Sequence, residues 1–143
     1  MNLFNRSISV NVCLEGKKML KVNGVFLDSQ HELCLTLEVD LDSYTITSAD
    51  GELRRTPYTD CRQTKELIKK LIGINLQSNV RKQIQAAVGL GNGCTHLTDL
   101  TLECVKGLLQ AKFQLLLLTM KPAEVHNQVK EQLKGTCLHY KNY

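Results

Sequence analysis

The chain has 143 residues, of which 43% are hydrophobic and 22% charged, with a formal net charge of +4. That length suits one domain, residues 1–143, with a core of its own, and the composition excludes a disordered, collagen-like or disulfide-stapled chain. A surplus of four positive charges is too small to demand a nucleic-acid partner.

The start, Met1-Asn2-Leu3-Phe4-Asn5-Arg6, lacks the apolar stretch of a secretory signal. The densest apolar run, Leu115 to Leu118, is far short of the ~20 residues that span a bilayer. The expectation is a cytoplasmic protein with no membrane role. Its six cysteines are Cys13, Cys34, Cys61, Cys94, Cys104 and Cys137. They are too dispersed for a disulfide scaffold and contain no C-x-x-C pair, so reduced thiols that pack, bind or react are expected.

The first half reads as strands. Two weaker candidates, residues 6–13 and 18–27, flank a turn at Glu15-Gly16. From His31 to Asp40, Leu33, Leu35, Leu37 and Val39 alternate with Glu32, Cys34, Thr36, Glu38 and Asp40, the pattern of a half-buried antiparallel strand. Leu41-Asp42-Ser43 then connects to a short strand, Tyr44 to Thr47. Strands thus occupy residues 5–48 as a meander of three to four.

Near Pro57 the period changes. Thr59 or Asp60 is a candidate N-cap for a helix over 61–72, with Leu67, Ile68, Leu71 and Ile72 on its apolar face and Gly73 as its stop. A second helix spans 78–89. A third runs over 94–119 and contains Gly107, which costs ~1 kcal/mol against Ala unless it serves close packing. Pro122 suits the first position of a last helix over 122–134, and residues 136–143 read as a loose tail. Strands first and helices second predict an α+β fold, with three to four helices packed on one face of the sheet.

The chemistry-bearing residues cluster around Gly91-Asn92-Gly93-Cys94-Thr95-His96-Leu97-Thr98-Asp99. A thiol opening a helix lies near the positive end of its dipole, which favours the thiolate. Cys61 likewise opens a predicted helix. Two such helix starts at one end of a sheet bring both sulfurs within reach of one metal; the alternative is that Cys94 caps its helix and Cys61 fills a loop. Asp99, three residues beyond His96, is placed to orient the imidazole or simply to complement the dipole. Cys13 and Cys34 read as packing residues, Cys104 as core, and the Cys137-x-His139 pair as no site. The basic residues Arg62, Lys65, Lys69, Lys70, Arg81 and Lys82 read as a solvated helix face, since no nucleic-acid motif accompanies them.

These residues resemble a bacterial family of unknown function with a Gly-Cys-Thr-His-Leu signature, the domain of unknown function 2889. The matching stretches are Arg6 with Ile8, Gly24 to Asp28, His31, Ile46 with Ala49, Pro57 with Cys61, Leu71-Ile72-Gly73 and Gly93 to Leu100. More distantly, residues 28–110 look like the U-type scaffold proteins of iron–sulfur cluster assembly. On that template Cys61 and Cys94 match the second and third scaffold cysteines. The departures are Ser29 in place of the first cysteine, His31 in place of an aspartate, and Cys-x-His for the His-Cys order. The chaperone motif is also missing.

The resemblance implies a mixed set of Cys61, Cys94 and His96 with His31 or Asp28, which suits zinc, with iron or an iron–sulfur cluster as the alternative. It implies a small metal-binding accessory in sulfur or cluster handling, working with a larger protein partner, rather than an enzyme. Two other readings stay open. One is a metal-free thiol relay through Cys94. The other is an interaction module, in which a stripe of Leu109, Phe113 and Leu116 forms a homodimer.

Overall fold

The computed structural model describes residues 1–141. Four strands, β1 (Arg6–Glu15), β2 (Met19–Asp28), β3 (Glu32–Asp40) and β4 (Thr45–Arg55), form an antiparallel sheet in sequence order. A 3-10 helix, Thr59–Leu71, follows, then α1 (Val80–Val88), a short 3-10 turn at Leu90–Asn92, α2 (Thr95–Thr119) and α3 (Pro122–Leu133). The fold is α+β, as the order of periods in the sequence predicts. No helix among the described residues is long and apolar enough to cross a membrane.

The chain forms two compact units, Met1–Leu108 and the segment from Leu109 onward, with the boundary inside α2. In the first, alternation in β2 and β3 sends Leu20, Val22 and Phe26 together with Leu33, Leu35, Leu37 and Val39 into one buried layer. Ile68 and Leu71 of the 3-10 helix, Ile84 and Val88 of α1, and Leu97, Leu100 and Cys104 of α2 complete that core. At about 25 cal/mol per Å² of apolar surface removed from water, this layer is the main source of the fold's stability.

Two differences from the sequence reading have physical causes. β4 runs on to Arg55 rather than ending near Thr47, because irregularities in its pairing with β3 break the alternation by which a strand is recognised. Ser48-Ala49-Asp50-Gly51 therefore continues the ladder beyond the expected end of the strand. The helix over 61–72 is a 3-10 helix that begins at Thr59, with Tyr58 at its cap and no side-chain cap bond. Its period of three aligns Ile68 with Leu71, both buried, and turns Ile72, four residues from Ile68, out to 45% exposure.

Glycines set how closely α2 approaches the sheet. A Cβ on Gly24 of β2 would meet Cys104 Sγ at 2.4 Å and Leu100 Cδ1 at 2.9 Å. A Cβ on Gly107 would meet Val10 Cγ1 of β1 at 2.7 Å. Gly107 thus offsets its helix cost through contact, the reason its place in the sequence suggests. Gly24→Ala is expected to destabilise the protein by about 1–3 kcal/mol, the usual cost of overpacking. Urea unfolding measures this, and Cys104→Ala in the same chain should recover part of the loss.

In the second unit the end of α2 is followed by α3, with Pro122 in the first turn of α3. Phe113, Leu117, Val125, Val129, Leu133 and Tyr140 line a groove of about 540 Å³. The expected loose tail forms hydrogen-bonded turns, among them Gly135 N–H to the Tyr140 carbonyl at 2.9 Å. Residues 142–143 lie outside the described residues.

Candidate metal centre

Asp28 ends β2, and its carboxylate turns back over the connection to β3. Oδ1 accepts the Gln30 N–H at 2.9 Å and the His31 N–H at 2.7 Å, and lies 2.9 Å from His31 Nδ1. Oδ2 pairs with Arg6 Nη2 at 3.2 Å, the two residues being register partners of β1 and β2. The Asp28 side chain is 2% exposed. Burial pushes its carboxyl pKa up, but the bonds from Gln30, His31 and Arg6 outweigh that and hold it far below the usual carboxylate range.

Arg55, the last residue of β4, grips the same turn through its backbone. Its Nη2 donates to the Asp28 carbonyl at 2.8 Å and its Nη1 to the Ser29 carbonyl at 3.2 Å.

α2 brings the third member. Gly93 approaches the end of α1 so closely that a Cβ would meet the carbonyl oxygens of Val88 at 2.2 Å and Gly89 at 2.3 Å. That approach lets the Cys94 N–H bond the Val88 carbonyl at 2.8 Å, and the Cys94 carbonyl receives the Thr98 N–H at 3.0 Å as α2 begins. His96 then lies over the β2–β3 turn, its ring centroid 3.8 Å from that of His31 and 5.1 Å from that of Phe26. Arg6 covers the Phe26 ring at 4.8 Å. Burial, the neighbouring His31 and the Arg6 charge lower the His96 pKa from its ordinary value, so the imidazole is neutral near pH 7, the form that ligates metals.

Potential ligand atoms of Asp28, His31 and His96 all lie within 4.8 Å of one another. Three of the five residues expected at the site thus meet, from the end of β2, the following turn and the first turn of α2. The thiols of Cys61 and Cys94 lie outside that cluster. Both are half-buried, and charge on the Cys61 sulfur helps raise the Cys94 pKa.

The expected thiolate at Cys94 is corrected. Burial raises its pKa more than the His96 and Leu97 N–H groups lower it. No hydrogen bond joins Asp99 to His96 among the described residues; the ring packs on His31 and Phe26 instead. Cys104, in the core, has its pKa pushed up to about 12 by burial. At pH 8 Cys94 should therefore alkylate more slowly than the exposed Cys13 and Cys137, and Cys104 only on unfolding. Mass-resolved alkylation kinetics check this order, and rapid labelling of Cys94 would contradict it.

The sequence reading missed the roles of Arg6 and Arg55. Arg6 meets Asp28 only through strand register, and Arg55 lies at the end of a strand that the pattern cut short.

No curated protein and no solved structure matches the chain, so the likeness to U-type scaffolds gains no support from comparison. The pattern defining a family described as protein of unknown function (DUF2889) matches residues 4–110. That match covers most of the chain, which therefore belongs to the DUF2889 family.

Proposed function

We propose that this protein is a small metal-binding accessory, holding one transition-metal ion of zinc type at His31 and His96, beside Asp28. The observation that carries the reading is the convergence of ligand atoms from three separate elements within 4.8 Å. The contact from Asp28 Oδ1 to His31 Nδ1 suits a ligating histidine, since a proton held there leaves Nε2 free to donate its lone pair. Arg6 occupies Oδ2, so Asp28 acts first as the orienting carboxylate and ligates directly only when Arg6 moves aside.

Cys94, two residues before His96, and Cys61 lie outside the 4.8 Å cluster and complete the set only when their segments move toward the ion, whose charge deprotonates a coordinating thiol even where burial disfavours the free anion. Two nitrogens and two sulfurs make a tetrahedral set fit for zinc, and the same set admits iron or a cluster. A closed set of four is structural; an open position would allow sulfur handling with a partner protein.

Elemental analysis of tag-free protein, with an optical spectrum for a cluster, tests the reading. About one equivalent of metal is expected, falling below a tenth in His96→Ala and in His31→Ala, with the Asp28→Asn variant binding about 10–100-fold more weakly. Protein that purifies without metal and takes up neither zinc nor ferrous iron at micromolar concentrations would reduce the cluster to a hydrogen-bonded lock on the β2–β3 turn.

A further inference from the structure

The two edges of the sheet are treated very differently. Outside β4 the segment after the 3-10 helix covers the ladder: the Ile46 N–H bonds the Ile74 carbonyl at 3.0 Å, and the Leu76 N–H bonds the Tyr44 carbonyl at 2.8 Å. Lys69 Nζ also reaches the Ala49 carbonyl at 2.8 Å. β4 further carries pairing irregularities and the charges of Asp50, Glu52, Arg54 and Arg55. Those are the devices by which proteins stop a sheet from growing.

β1 has none of them. It pairs with β2 over ten consecutive residues without a bulge. Between Arg6 and Glu15 it carries no charge and no proline, only Ser7-Ile8-Ser9-Val10-Asn11-Val12-Cys13-Leu14. Among the described residues no backbone hydrogen bond from another segment reaches its outer side. A straight, neutral strand with alternate backbone groups turned to water is a template for one more strand.

We propose that the occupant is a second copy of this chain, joined antiparallel along β1 to make a continuous eight-stranded sheet. The strand is complementary to itself. Residues opposite one another in an antiparallel pair share a face of the sheet, so a twofold axis passes through a residue. With the axis at Asn11, Ile8 faces Leu14 of the second copy and Val10 faces Val12, all on the helix-bearing side.

Ile8 and Leu14 are 37% and 45% exposed in the single chain, so this register covers apolar surface that is otherwise wet. On the open side Ser9 then faces Cys13, and Ser7 faces Glu15. An axis at Val10 would set Arg6 against Leu14, a poorer match.

Sedimentation of the full-length protein tests this, with a mass twice 16.1 kDa expected at about 100 micromolar. Asn11→Lys sets two ammonium groups against each other at the axis, on an exposed position that does not disturb folding. It should return the mass to 16.1 kDa with an unchanged circular dichroism spectrum. Ser9→Cys tests the register: mild oxidation should give a covalent dimer that Cys13→Ser abolishes and Cys137→Ser does not. Positions 9 and 13 of one strand are too far apart to bridge internally. A wild type that stays monomeric throughout, which would leave the edge to another protein's strand, overturns the proposal. So does a dimer that survives Asn11→Lys, or a Ser9→Cys variant that does not cross-link through Cys13.

Discussion

Asp28→Ala is expected to destabilise the protein by about 3 kcal/mol, lowering its melting temperature by about 10 °C. The substitution removes the acceptor for two backbone N–H groups and the His31 ring, and leaves Arg6 without its counter-charge. Deleting one partner of a fully buried pair costs about 3–5 kcal/mol. The low end applies because the Arg6 side chain is 38% exposed and recovers water.

Asp28→Asn keeps an oxygen for the N–H groups and should lose roughly half as much. The sign of the pH dependence follows from the carboxyl's depressed pKa. Its contribution is complete above the ordinary carboxylate value and fades as pH falls below it, where the unfolded chain takes up a proton that the folded one still refuses. Urea titrations of wild type and variant should therefore differ by the same amount at pH 8 and pH 6, with the gap beginning to narrow as pH falls below 4. A gap independent of pH would show that lost packing, not charge, is responsible.

Gly93→Ala is expected to be nearly as damaging, at about 3 kcal/mol, the upper end of overpacking costs. Its new methyl would collide with two carbonyl oxygens and a carbonyl carbon of the Val88–Gly89 backbone, which cannot swing aside as a side-chain tip does. Relief requires α1 and the start of α2 to separate, breaking the bond from the Cys94 N–H to the Val88 carbonyl. His96 then leaves the β2–β3 turn. Gly91→Ala is the control, because a Cβ there meets nothing within 4 Å. The pair should be separated by thermal melting, and by histidine ring resonances showing the His31–His96 contact kept in one variant and lost in the other.

The sequence told most where a single period ran unbroken. Leu33 to Val39 announced β3, and the apolar spacing from Leu97 to Phe113, with Pro122 beyond, announced α2 and α3 within a residue or two. It told less where two geometries share a spacing: Leu67, Ile68, Leu71 and Ile72 fit an α-helix, and only the contacts inside the core select the tighter one.

At the site, His96 could be named because a glycine-led helix start stands out, whereas Asp28 and His31, ordinary as turn residues, entered only through the resemblance to U-type scaffolds. The distance among the three could not be read, since it depends on where α2 crosses β2. That crossing is fixed by Gly24 and Cys104, residues with no chemistry at the site. Electrostatics was the least legible. The helix start at Cys94 suggested an anion, and burial, which no local pattern reports, reversed it.

The hold of Arg55 on the β2–β3 turn has a kinetic consequence. A guanidinium bonded to successive carbonyls removes the backbone freedom of the loop that carries His31. The entropy of ordering those atoms is then lost once, during folding, rather than at each encounter with an ion. For the metal binding proposed above, capture should accordingly proceed in one step at a rate set by desolvation of the cation, whereas a chain with Arg55→Met would take up the same ion through a slower, two-phase rearrangement.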